Sequence, residues 1–108
     1  DCTPLAEPIL VRYVQLTGKH FDEQMEPATL VALSPRRAVM ETAGPLAPYS
    51  NLLLRLEAEA GDEKAPELYA KVVRPVEGTA HRCYIHFTSV PPAVRARLGR
   101  LAGGKRGS

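Results

Sequence analysis

Residues 81–90, HRCYIHFTSV, put Cys83, Ile85 and Phe87 on one side of an extended chain and Arg82, Tyr84 and His86 on the other. Strict alternation of this kind marks a strand with one face buried. A slip of one residue would exchange the two sets, so the pattern also names the core face.

The same pattern recurs along the chain. In EPILVRYVQL (7–16), Ile9, Val11 and Tyr13 alternate with Leu10, Arg12 and Val14. ATLVALS (28–34) and AVMET (38–42) follow as a strand, a turn and a partner strand, and ELYAKVVRPV (67–76) leads through EGT to the segment above. NLLLRLEAE (51–59) is compatible with helix by composition. Its Leu52, Leu54 and Leu56 share one face at period two between Pro48 and Gly61, which favours strand. Glycines and prolines punctuate the connections, with TGKHFDEQMEP expected as an exposed loop, AGPLAPYS as a connection and AGDEKAP as a turn.

After TSVPP the period changes. Val94, Leu98 and Leu101 are spaced as one face of an amphipathic helix, predicted over about residues 90–101 with Ser89 as its cap. Prolines in a first turn cost little. Residues 102–108 are expected to be a disordered tail, and the segment before Pro8 a loose terminus. Six short strands and a helix predict an all-β fold, a small six-stranded antiparallel barrel with one C-terminal α-helix over an open end or edge. At 108 residues there is room for one domain, expected over residues 1–101.

Composition narrows the function. Hydrophobic residues make up 44% and charged residues 24%, as in a soluble globular protein, and no apolar run is long enough for a membrane helix. The chain lacks an initiator Met and is expected to be a piece of a longer one. Cys2 and Cys83 are expected as an incidental and a buried thiol, which suits a reducing cytoplasm. Ser34, His81 and His86 lack the neighbours of a nucleophilic triad, and His20, Asp22 and Glu23 are loop neighbours, so neither catalysis nor a metal site is expected.

Charge is uneven over a net of +2, with Arg95, Arg97, Arg100, Lys105 and Arg106 gathered at the C-terminus. A solvated helix face accounts for that cluster. Nucleic acid is a distant alternative, because Tyr13, Tyr69 and Tyr84 are not interleaved with lysines in the sequence.

The order of segments carries a resemblance. METAGPLAPYSNLLLRLE, then YAKVVRPVEG and CYIHFTSVPPAVRARL, is similar to the PilZ domain of bacteria, over roughly Pro8 to Leu101. The resemblance implies a six-stranded barrel with a C-terminal helix, and cyclic di-GMP, which has two phosphates, as ligand. It also implies two ligand motifs. One is Arg-x-x-x-Arg just before the first strand, where this chain has DCTPLAE and no arginine. The other is Asp/Asn-x-Ser-x-x-Gly after the second strand, which falls on Ala32, Leu33, Ser34, Pro35, Arg36 and Arg37 and matches at Ser34 alone.

Arginine forks grip phosphate strongly and directionally. At about 1.5–3 kcal/mol for each charge-assisted bond, losing two forks removes several powers of ten in affinity. The expectation is a degenerate PilZ-like module in bacterial second-messenger signalling or motility, with no cofactor and weak or lost cyclic di-GMP binding. It would contact a protein partner, or other domains of its own chain, through Ser34, Arg36 and Arg37 at the turn and Arg95, Arg97 and Arg100 on the helix. The alternative is a true cyclic di-GMP receptor that uses Arg36 and Arg37, or an arginine motif upstream of Asp1.

Overall fold

In the computed structural model, which describes residues 2–16 and 24–103, each alternating segment is a strand. They are β1 (Thr3–Leu16), β2 (Glu26–Leu33), β3 (Arg37–Glu41), β4 (Asn51–Leu56), β5 (Glu67–Pro75) and β6 (Arg82–Ser89), followed by the helix α1 (Pro92–Gly103). Two three-stranded meanders, β1–β2–β3 and β4–β5–β6, join along both edges. β3 pairs with β6 and β1 with β4, all antiparallel, so the sheet closes into a barrel in the order β1-β2-β3-β6-β5-β4.

The alternation sorts side chains as the sequence predicts. Ile9, Val11 and Tyr13 from β1, Leu52, Leu54 and Leu56 from β4, and Cys83, Ile85 and Phe87 from β6 all enter one buried core. Leu30, Met40 and Leu68 fill its centre with no exposure. Burial pushes the Cys83 thiol up to about 11, so at neutral pH it is a small apolar core group. Cys2 and Cys83 are both free thiols.

Three boundaries differ from expectation, each for a local reason. The supposed loose terminus is strand from Thr3 onward, because Thr3 and Pro4 pair with Leu33 and Ala32 of β2. Between Pro4 and Ile9 the register shifts, a bulge that lets Pro4 and Pro8 stand in a strand without breaking the ladder. Ser89 ends β6 and does not cap α1; the Arg95 amide donates to the Pro91 carbonyl at 2.9 Å instead. The helix runs past Leu101 to Gly103, so Ala102 and Gly103 do not belong to a tail. The calls on residues 104–108 and on the loop holding His20, Asp22 and Glu23 fall outside the described residues. Among the described residues no helix is long and apolar enough to cross a membrane, and no three His, Cys, Asp or Glu converge as metal ligands.

Candidate functional site

Four residues close the turn between β2 and β3. The Ser34 amide donates to the Arg37 carbonyl at 2.8 Å, and the Arg37 amide donates to Ser34 Oγ at 3.0 Å. Among the described residues the one non-glycine with positive φ is Tyr49, so neither Arg36 nor Arg37 stands in the left-handed region that favours glycine. Arg37 is simply the first residue of β3. An arginine at the glycine position therefore carries no backbone penalty here.

Two more carbonyls of the turn are also taken. Arg36 O accepts from the Phe87 amide at 2.9 Å, and Pro35 O accepts from Arg95 Nη1 at 2.7 Å. Through that last bond the helix grips the turn, so two surfaces that look separate in sequence form one unit.

The other helix arginines point elsewhere. Arg97 is two positions from Arg95, roughly opposite on a helix of about 3.6 residues per turn. It forms a fork on Asp62, with Nη1 to Oδ2 at 2.9 Å and Nη2 to Oδ1 at 3.1 Å, and lies 3.5 Å from Glu59. Arg100 pairs with Glu59 at 3.0 Å. Both are paired with the β4–β5 connection, Arg97 largely shielded by it and Arg100 still exposed.

The hydrogen bonds from Arg97, helped by the Glu59 amide, lower the Asp62 carboxyl from 3.8 to about 2. Its folded value is depressed, so its contribution to folding is present above the unfolded value and is lost as pH falls through about 2. The clasp therefore stays intact at any pH above about 4. We expect the Asp62 side-chain carboxyl resonance to titrate near pH 2, and to move up toward the ordinary carboxylate range in Arg97→Ala.

Two grooves flank the turn. One, of about 490 Å³, is mainly apolar and runs between the start of β1, the turn and α1, with Leu5, Leu33, Pro35, Phe87 and Leu98 on its walls. The other, of about 330 Å³, lies on the outer face of the sheet and is lined by Cys2, Arg37, Val39, Val73, Arg74 and Tyr84. There the Arg74 guanidinium lies over the Tyr84 ring, 4.6 Å from its centroid. Sequence reading did not connect Arg74 with Arg37. A bulge in β5 between Val72 and Arg74 brings Arg74 opposite Tyr84, and Tyr84 in turn pairs with Val39 of β3. Arg36 does not line this groove; it is exposed at the tip of the turn.

No family model matches the chain, and no curated protein matches it. Among solved structures it is similar to the PilZ domain of CeSA from a cellulose-synthesizing bacterium, at 18% identity and a TM-score of 0.59. The match covers 96% of both chains. At that identity the likeness establishes architecture: this chain has a PilZ-like fold, a closed six-stranded antiparallel barrel with one C-terminal helix.

Proposed function

We propose that this chain is a non-catalytic regulatory module, a degenerate member of the PilZ family working in bacterial second-messenger signalling from the cytoplasm. Its cyclic di-GMP affinity is weak or lost, and it acts by contacting a protein partner or neighbouring domains through the joined surface of turn and helix. One observation carries the reading: the Ser34 hydroxyl accepts from the Arg37 amide, and the Pro35 and Arg36 carbonyls accept from Arg95 and Phe87 of the chain itself. A ligand contacting that turn would have to displace bonds already made, at about 1 kcal/mol each. The first strand adds to this, since Cys2–Glu7 holds no arginine and Thr3 and Pro4 are fixed against β2.

A second reading has its own support. Arg37 and Arg74 flank the same outer groove beside Tyr84, an arrangement able to hold a phosphate and stack a base. On that reading the module is a cyclic di-GMP receptor with relocated arginines.

Calorimetric titration of cyclic di-GMP at moderate salt separates the two. We expect no heat and no thermal shift at millimolar ligand, for the native chain and for Arg36→Ala/Arg37→Ala alike. Micromolar binding abolished by the double variant would overturn the proposal in favour of the receptor.

A further inference from the structure

The outer face of β3, β6 and β5 brings together basic and aromatic side chains that are far apart in sequence. Arg37 pairs in register with His86, and His86 with Lys71, so these three form one row across three strands. With strands about 4.8 Å apart the row is roughly 10 Å long. The next row holds Tyr84 with Arg74 above it. Two residues along β5 from Lys71, on the same side of the strand, is Tyr69, 44% exposed. Lys71 also pairs with Asn51 at the start of β4, two residues after Tyr49.

Tyr49 is the second observation. It is 74% exposed, and it is the described non-glycine residue with positive φ, 67°. Its amide donates to the Val72 carbonyl at 2.8 Å, which places it at the margin of this face. An L-residue there is strained by about 1–2 kcal/mol. Displaying a large ring to water from a strained position gains nothing for folding, and is the kind of outlier from which a role in binding is argued.

The charges are available. Arg82 is paired with Glu41 and Arg55 with Glu67. Among the described residues no carboxylate lies within 4.0 Å of the charged ends of Arg37, Lys71 or Arg74. Arg37, Lys71 and Arg74 thus stand beside two exposed tyrosines, Tyr49 and Tyr69, and the half-buried Tyr84 on which Arg74 is stacked.

We infer that this face is a platform for single-stranded nucleic acid, with phosphates on Arg37, Lys71 and the edge of Arg74 and bases stacked on Tyr69, Tyr49 and the Arg74–Tyr84 pair. The spacing suits it: Tyr69 and the Arg74–Tyr84 stack are five positions apart on β5, about 16 Å at ~3.3 Å per residue, room for a strand of a few unstacked nucleotides. A duplex does not fit this chemistry, because its bases are not free to stack on side chains. The inference shares Arg37, Arg74 and Tyr84 with the receptor reading and differs from it in taking a polymer, with Lys71, Tyr69 and Tyr49 extending the face; it does not use the C-terminal basic cluster.

The test is fluorescence anisotropy of the full chain with labelled oligo(dT) and oligo(U) of about a dozen nucleotides. We expect micromolar binding at low salt, with a log–log salt slope of about −2 for three phosphates. Tyr84→Ala is expected to weaken binding about tenfold, at a base-stacking cost of ~1–3 kcal/mol. Lys71→Ala is expected to weaken it and to flatten the slope by close to one phosphate. Both side chains face outward, and circular dichroism is the check that the variants fold.

Four results would overturn the inference. They are no binding at low salt, equal binding of a labelled duplex, displacement by polyglutamate at matched charge, and binding lost in Lys105→Ala/Arg106→Ala but kept in Tyr84→Ala. The third would recast the face as a contact for acidic proteins; the fourth would move the binding to the C-terminal end.

Discussion

Leu54→Ala is expected to destabilise the barrel by about 2–5 kcal/mol, while Leu53→Ala, one residue away, costs about 1 kcal/mol or less. Leu54 is wholly buried and stands between Tyr13 of β1 and Leu68 of β5, at the seam where the first and fourth strands close the sheet. Truncation there leaves a cavity that a paired strand on each side holds open, because a closed barrel collapses less readily than an open edge. Leu53 points to the other face and is half-buried. For a domain with a total stability of ~5–15 kcal/mol, the first change shifts the urea midpoint conspicuously and the second hardly at all. Similar losses from both would mean that β4 does not hold the register described, since a slip of one residue exchanges the two leucines.

That contrast between neighbours is the part of the fold legible in sequence. Period-two alternation in β4 and β6 assigns each side chain to a face before any partner strand is known, and the switch to helical spacing at Val94, Leu98 and Leu101 is just as plain. The start of β1 was hidden for a physical reason. Pro4 and Pro8 cannot donate to a ladder, so Thr3–Glu7 carries no strand signal of its own and becomes strand only because β2 pairs with it across a bulge. The Ser89 cap failed on a similar ground, since the β6 ladder claims that residue first.

The site was less legible than the fold. Ser34, Arg36 and Arg37 could be placed in a turn from local chemistry, but that the turn needs no positive φ, and that its carbonyls are taken by Arg95 and Phe87, depends on bonds reaching as far as 60 residues along the chain. The row Arg37, His86 and Lys71 is a product of register between three strands, and nothing local to any one of them announces it. Tyrosines that are not interleaved with lysines along the chain become neighbours of Arg37, Lys71 and Arg74 across the sheet.

The second large effect concerns the helix. Val94→Ala/Leu98→Ala is expected to release α1 from the barrel while leaving the six strands folded. Those two side chains, 5% and 4% exposed, are its buried anchors. The rest of its attachment is lighter: Leu101, partly buried against the core, and the polar contacts of Arg95 with Pro35, Arg97 with Asp62 and Arg100 with Glu59. If the helix stayed docked, losing both anchors would cost several kcal/mol, by the usual penalty for core truncation. Release limits that cost to the free energy of docking, so the barrel's global stability falls by less than the two single variants sum to.

Hydrogen exchange should then show amide protection lost from residue 92 to residue 103 and retained in β1–β6. A second readout is independent of exchange. With Arg97 gone from its side, the Asp62 carboxyl returns from about 2 toward 3.8. Strands losing protection in step with the helix would mean instead that α1 belongs to one cooperative unit with the barrel. Under the expected outcome the Arg95 bond breaks as well and the Pro35 carbonyl is freed. A partner that favours the free turn would then favour the undocked helix by the same free energy, which makes the Arg95–Pro35 bond the link through which contact at one end of the barrel is felt at the helix.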